Sequence, residues 1–278
     1  MTMQHAAVLD DRSVIALSGV GARGFLQGLV TNDLEQRAPG QAAYAALLTP
    51  QGKILFDFFV IEEAPDRFLI DCAQVRAADL LKRLTLYRLR AKIEIVLRPE
   101  LFVAAIWKDH SAVAASGTVF TDPRLPALGA RVIAPRQILD AQYVETAEAY
   151  QMHRLFLGVP DSADLPPDTV FPLDAGFEEL NGVSFKKGCF VGQEVTARMK
   201  HRSSARRRFL IAEMAAPLPP FGTPVMAGRE LGTLATGQGG VALAMVRLDR
   251  LAGAQTANVP VEAAGKTVTL RKPDWLRV

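Results

Sequence analysis

One of the two cysteines in this chain lies in the segment Lys186-Lys187-Gly188-Cys189-Phe190-Val191-Gly192-Gln193-Glu194, just ahead of a predicted helix. A neighbouring cation stabilises thiolate over thiol, and the N-terminal end of a helix adds partial positive charge. Gly188 permits a turn that a residue carrying a Cβ resists. Gly192 followed by Gln193 and Glu194 reads as a helix start, with the carboxylate at the favourable end of the dipole. Together these residues could present an activated thiol. The same spacing also suits a surface turn with two solvated lysines and a small buried cysteine, because free cysteine is among the most buried residue types.

Between Lys186 and Arg208 there are eight Lys or Arg plus His201, against Glu194 alone. Such a patch suits an anionic partner (phosphate, a polyglutamate tail or RNA) or forms a solvated basic face. For RNA the stretch offers few stacking rings, only Phe185, Phe190 and Phe209. Acid–base candidates are Asp57, Asp174, Glu178, Glu179 and Glu194, each of which could equally be a solvated or capping carboxylate. His5, His110, His153 and His201 show no zinc-ligand spacing. Two cysteines cannot hold an iron–sulfur cluster within one chain without other ligands, which leaves transient sharing with a partner open. The string Gly19-Val20-Gly21-Ala22-Arg23-Gly24 has glycines at dinucleotide spacing, but no acid follows at the end of a second strand. No G-x-S-x-G elbow is present.

The elements that must position these groups fall into three textures. Ala6 to Leu17 alternates around Asp10-Asp11 and predicts a hairpin. Phe25, Leu26, Leu29 and Val30 form one face of a short helix, closed by Thr31-Asn32-Asp33. Runs at Tyr44–Leu48, Ile54–Ile61 and Phe68–Asp71 predict strands, Gln74–Tyr87 a helix and Lys92–Leu97 a strand, an α+β arrangement with helices on one sheet face. Leu101–Trp107 and Arg131–Ala134 read as strands, Val113 onward is ambiguous, and Thr146–Leu157 reads as a helix. Pro160–Leu180, with four prolines, predicts an irregular loop. Beyond Arg206-Arg207-Arg208, short apolar runs at Phe209–Ile211, Thr223–Met226, Leu231–Thr236, Val241–Val246 and Thr267–Leu270 predict a small β-barrel or sandwich.

With 278 residues, almost half of them apolar, the chain can bury a sizeable core, and its net charge of +3 makes the basic excess a local matter. Cys72 and Cys189 give no disulfide framework. Met1-Thr2-Met3-Gln4-His5 lacks a signal-peptide pattern, and no apolar run approaches the roughly 20 residues of a membrane span. The expectation is a cytoplasmic protein with no membrane partner.

Lys187-Gly188-Cys189-Phe190-Val191-Gly192-Gln193-Glu194 resembles the K-G-C-[FY]-x-G-Q-E signature of the YgfZ/GcvT-like folate-binding family, relatives of the glycine-cleavage aminomethyltransferase that act in iron–sulfur protein maturation. Phe25-Leu26-Gln27-Gly28-Leu29-Val30-Thr31-Asn32-Asp33 is similar to that family's F-L-Q-G-x-x-T-x-D. Leu180 to Phe185 resembles the segment before the cysteine, and Gly158-Val159-Pro160 the family's G-[IVF]-P. The resemblance runs from about residue 8 into the C-terminal part. It implies an aminomethyltransferase-like cloverleaf of three subdomains around a folate hole, the last a β-barrel. The implied division is residues 1–47 with 110–203, then 48–109, then 204–278.

It further implies tetrahydrofolate or a one-carbon derivative as cofactor and iron–sulfur client or assembly proteins as partners; the histidine and cysteine spacing predicts no metal site. Cys189 and Lys187 would be the reactive pair, with Lys187 lowering the thiol pKa. Asn32, Asp33, Asp57, Tyr150, Lys187, Gly188, Gln193 and Glu194 would form the folate site and its supporting loop. Three departures bear on the folate site and on transfer chemistry. Gly52-Lys53-Ile54-Leu55-Phe56-Asp57 keeps one carboxylate where the aminomethyltransferase has an aspartate pair. Phe156 stands where its pterin-holding glutamate would be, and Arg12 where some relatives place a tryptophan. A folate-dependent aminomethyl or methyl transferase and an RNA-binding or tRNA-modification-related module remain as alternatives.

Overall fold

The computed structural model describes residues 5–38, 40–107, 117–140, 145–202 and 206–277. The expectations for Met1–Gln4, His110 and Val113–Ser116, and the divisions at 109/110 and 203/204, fall outside these residues.

The chain begins with β1 (His5–Val8), β2 (Arg12–Ser18), α1 (Ala22–Leu29), β3 (Ala42–Leu48), β4 (Ile54–Ala64), β5 (Arg67–Ala73), α2 (Ala77–Arg88) and β6 (Glu94–Leu97). Five of these strands form one antiparallel sheet in the order β3-β4-β5-β2-β6. β3 is apolar throughout because both of its faces are covered. Ala43, Ala45 and Leu47 pack under Leu26 of α1 and Leu80 and Leu84 of α2, while Tyr44, Ala46 and Leu48 face the central core. The same two-residue period in β4 turns Phe56 and Phe58 toward the helices and Asp57 and Phe59 toward the opposite face.

Next come β7 (Leu101–Trp107), β8 (Thr118–Thr121), β9 (Ala130–Pro135), α3 (Arg136–Asp140) and α4 (Ala147–Leu157). A second antiparallel sheet has the order β1-β7-β9-β8. β1 and β2 are therefore not the expected hairpin: β1 pairs with β7, and β2 with β5 and β6. Alternation identifies a strand, but its partner depends on which core buries its apolar face. The expected division at 47/48 likewise passes through the β3–β4 hairpin, whose register joins Ala42 to Ile61 and Leu47 to Phe56. Hydrogen bonding carries that sheet from residue 12 to residue 97.

Residues 158–192 make turns and one 3-10 segment, Ser162–Asp164. Far from lying on the surface, this stretch buries Leu165, Leu173, Phe177 and Leu180, with Phe177 against Tyr44 at 4.8 Å between ring centroids. α5 (Gln193–His201) leads into β10 (Arg207–Glu213), β11 (Pro224–Ala227), β12 (Arg229–Gln238), β13 (Val241–Arg247), α6 (Leu248–Thr256), β14 (Glu262–Ala263), β15 (Lys266–Thr267) and β16 (Thr269–Arg271). These strands form a nearly closed seven-stranded barrel in the order β15-β14-β11-β12-β13-β10-β16. α4 packs against β1, β12 and β13, tying the barrel to the rest.

Candidate functional site

The cysteine loop is built on close approach. Gly192 has φ +80° at the head of α5, and a Cβ there would lie 2.7 Å from the Thr49 carbonyl oxygen. Across the contact, Gly52 has φ +81° in the β3–β4 turn, and a Cβ would meet Val195 at 2.8 Å. Both positions need the left-handed backbone and the missing side chain, so the start of α5 docks onto that turn. Gln193 folds back, its side-chain carbonyl accepting from the Phe190 N–H at 3.3 Å. Gly188 and Cys189 are exposed at the tip, and Glu194 is exposed in the first turn of α5.

Lys187 points the other way. Its buried ammonium donates to the carbonyls of Gln27 (2.6 Å), Val30 (2.5 Å) and Asn32 (3.0 Å), at and just beyond the C-terminal end of α1. Such carbonyls lack partners within their own helix, and the helix dipole favours a cation there. Burial pulls the Lys187 pKa down to about 8, opposed by Asp33 and Glu35. The ammonium also lies 5.2 Å from the Phe190 ring centroid. All three N–H donors thus serve the end of α1 and the turn that follows it, so Lys187 acts as a clamp on the cysteine loop. The alternative of two solvated lysines and a buried cysteine does not hold: Lys186 is exposed, but Lys187 is buried and Cys189 is exposed.

Asn32 and Asp33 belong to this clamp. The Asn32 amide donates to the carbonyls of Tyr44 (2.7 Å) and Asn181 (2.6 Å), and its oxygen accepts from the Asp33 N–H. The Asp33 carboxylate accepts from Gln27 and from the Glu35 N–H.

A separate cavity of about 540 Å³ opens among the five-stranded sheet, α4, the 161–167 turn and Phe221. Of the residues expected at a folate hole, only Asp57 lines it. Tyr150 is buried, with its ring 5.4 Å from Trp107 and its hydroxyl 3.4 Å from Arg131, and it lines a neighbouring cavity of about 370 Å³. The two cavities share Asp11, Arg12, Gln151 and Asp161. Phe156 is half-exposed and lines neither cavity. Cys72 does line the larger cavity, but burial pushes its thiol up to about 12, so the buried cysteine stays protonated.

Behind the cavity lies a buried ionic lattice. Arg12 donates from Nε to Asp71 at 2.6 Å and from Nη1 to both Asp161 and Ser162 at 3.3 Å. Arg131 bridges Asp71 (2.8 Å) and Asp122 (3.3 Å), and Arg124 grips Asp122 through two nitrogens at 3.0 and 2.8 Å. Arg154 binds Asp164 at 2.8 Å and the Val159 carbonyl at 2.6 Å. The Phe59 ring lies beneath Arg12, Arg124 and Arg131, at 5.8, 4.9 and 4.2 Å.

This lattice sorts the carboxylates. Burial alone would raise Asp161, but Arg12, Arg124, Arg154 and Arg131 outweigh it and hold the group far below the usual carboxylate range. Asp57 goes up, because burial and the charge of Asp161 prevail over Arg12, Ser162 and Arg124. Tyr44 donates its hydroxyl to Asp57 at 3.1 Å. Carboxylates of opposite tendency on one cavity wall can accept from, or donate to, a heterocycle bearing both N–H and carbonyl groups. Arg12, Arg154 and Asp161 were not singled out as site residues from the sequence. The available signal was an arginine followed directly by the apolar run Leu155-Phe156-Leu157 (Arg154) and one opening a strand (Arg12).

Of the other acid–base candidates, Glu178 pairs with Lys200, and Asp174 is buried in a third cleft, its pKa raised by burial against Arg208 and Arg207. Among the described residues, no three His, Cys, Asp or Glu are grouped to hold a metal ion, and no helix is long and apolar enough to cross a membrane.

Residues 1–107 match the family model described as the GCVT N-terminal domain, and residues 206–278 match that of the CAF17 C-terminal beta-barrel domain. The chain is 31% identical over 299 residues to the iron-sulfur cluster assembly factor IBA57, mitochondrial, of Homo sapiens, with 96% of this chain and 84% of that protein covered. The Neurospora crassa homologue is 32% identical over 245 residues, with 78% and 56% covered. In structure, the chain superimposes on the glycine cleavage system aminomethyltransferase T of Bartonella henselae with a TM-score of 0.76 at 17% identity, covering 98% and 86% of the two chains. This confirms the expected aminomethyltransferase fold. The cytoplasmic expectation is overturned, since the human, mouse and Neurospora relatives are named mitochondrial. The lack of a secretory or membrane-spanning pattern, on which that expectation rested, does not distinguish the cytosol from an organelle interior. The chain belongs to the GcvT-like family of iron–sulfur cluster assembly factors.

Proposed function

We propose that this protein supports assembly or repair of iron–sulfur enzymes by presenting Cys189 to a partner while holding a folate in the cavity beside Asp57. The observation that carries this reading is the division of labour between the cysteines. Cys72 is buried with a raised pKa, whereas Cys189 is exposed on a loop fixed by Lys187, Gly52 and Gly192. A rigid, solvent-facing thiol suits a reaction with a second protein.

The cavity fits a reduced folate in size and chemistry. Its volume falls in the range of pockets for molecules of that size. Phe56, Leu55 and Phe221 supply apolar walls, and Asp57, Arg12, Arg154 and Asp161 supply donors and acceptors. Bound tetrahydrofolate would supply one-carbon chemistry. Asp57 and Asp161 would accept ring N–H groups in place of the glutamate replaced by Phe156, and Arg12 and Arg154 would keep Asp161 ionised.

Replacement of Cys189 by Ser tests the thiol. In cells lacking the protein, the variant should fail to restore iron–sulfur enzyme activity while binding tetrahydrofolate as the wild type does. Full restoration would remove the core of the proposal. A transferase reading draws on Asp57 alone, and turnover of tetrahydrofolate to its methylene form with an amine donor would establish it.

A further inference from the structure

A basic groove lies apart from the cavity and the cysteine tip. A cleft of about 410 Å³ is lined by Lys53, Phe171, Asp174, Met199, Arg206, Arg207 and Arg247, and a second of about 250 Å³ by Arg207, Glu230, Leu231, Met245, Arg247 and Arg250. They join through Arg207 and Arg247. These two arginines are directly opposed on β10 and β13. Like charges in that position destabilise a sheet. Arg247 is relieved by Asp249 at 2.7 Å. Among the described residues, no carboxylate forms an ion pair with the side chain of Arg206, Arg207, Arg250 or Lys53; Lys53 and Arg250 bond only the carbonyls of Asp168 and Glu230.

We propose that this groove docks an extended acidic segment of a partner protein, one that alternates Asp or Glu with apolar residues. The cations are strung along two clefts, whereas a single phosphate would require them to converge on one point. Phe171 and Met199 in one cleft, and Leu231 and Met245 in the other, set apolar contacts between the charges. Asp174 and Glu230 interrupt the row, which opposes a uniform phosphodiester chain but can set the register of a mixed segment. Met199 lies on α5, the helix that begins at the cysteine loop and spans about 13 Å. A segment held in the groove therefore keeps its parent protein within reach of Cys189. The inference extends the assembly reading by naming the chemistry of the partner.

The test is fluorescence anisotropy of the full chain with a labelled peptide repeating Asp-Phe-Glu-Leu, with inorganic triphosphate and single-stranded RNA as competing probes. Saturable peptide binding should weaken about tenfold in Arg207→Gln and further in the Arg206→Gln, Arg207→Gln double variant, and it should fall with salt. Arg207→Gln should also melt at or slightly above the wild-type temperature, because it relieves the cross-strand repulsion. If it melts lower, Arg250→Gln at the far end of the groove decides alone, by the same loss of affinity. Binding that ignores these substitutions overturns the proposal. So does triphosphate or RNA binding that is tighter than the peptide and equally arginine-dependent. Cys189→Ser should leave peptide affinity unchanged, so failure of the groove and failure of the thiol reading are separate results.

Discussion

Lys187→Met removes the clamp while keeping an unbranched side chain of similar girth. The substitution strands the carbonyls of Gln27, Val30 and Asn32, which now receive bonds of 2.6, 2.5 and 3.0 Å. An unsatisfied buried acceptor costs about 1–3 kcal/mol, so three of them bound the loss at roughly 3–9 kcal/mol. Water reaching the carbonyls near the loop edge, together with the relief from burying an ammonium, brings the expected destabilisation to about 2–4 kcal/mol. Urea unfolding monitored by tryptophan fluorescence measures it. In parallel, the rate of Cys189 modification by a small disulfide reagent at neutral pH separates clamp from activator. A clamp predicts modification at least as fast in the variant, since the loop loosens. An activator predicts clearly slower modification with little change in stability, and that result would refute the reasoning. Lys187→Arg should recover only part of the stability, because a planar fork cannot converge three donors on carbonyls arranged for a point charge.

Asp57→Asn should raise stability at pH 7. The folded-state pKa of Asp57 lies above its unfolded value, so the penalty on its charged form is full above that raised pKa and is relieved as pH falls through it. The gain should therefore shrink toward pH 4 in thermal melts, while tetrahydrofolate affinity measured by calorimetry falls about tenfold. Gly192→Ala should cost at least about 1–3 kcal/mol, from the positive φ and the 2.7 Å approach to Thr49, and should loosen the cysteine loop in hydrogen exchange. Arg131→Met leaves Asp71 and Asp122 each short of a partner at one stroke. A loss of about 3–5 kcal/mol is expected from urea unfolding, with the fluorescence of Trp107 on the neighbouring strand β7 of the same sheet as probe.

Much of the architecture was legible because strands and helices write their period into the chain. β3, β4, β5, α2 and β6 stand close to where apolar spacing places them, and the barrel begins beside the arginine run. Pairing was less legible. The residues around Asp10-Asp11 look like a hairpin because two alternating runs meet at a turn, yet β1 and β2 serve different sheets. Helix α6 was missed because a nine-residue helix with Leu251 and Ala254 as its buried residues writes a faint pattern. At the site, sequence reasoning located the exposed Cys189 loop but gave Lys187 a thiol to serve, when its targets are carbonyls far away in the chain. Asp57 was found because the run Gly52–Asp57 resembles one that carries an aspartate pair in the aminomethyltransferase, and Asp57 is the carboxylate it keeps. The arginine lattice was missed because side chains that are fully buried through mutual pairing are indistinguishable, one at a time, from ordinary surface charges.

The clamp also sets an order of events in folding. Lys187 meets carbonyls 160, 157 and 155 residues earlier in the chain. Contacts of such sequence separation form late, after local hairpins and helices have closed the intervening loops. During synthesis, α1 can fold long before residue 187 leaves the ribosome, but its terminal carbonyls must wait for the ammonium. An immature or truncated chain carries Cys189 on an unfixed loop or lacks it altogether. The arrangement couples presentation of the thiol to the folding of the segments that precede it, so a partner that requires the ordered loop meets Cys189 only once α1 and residue 187 have come together.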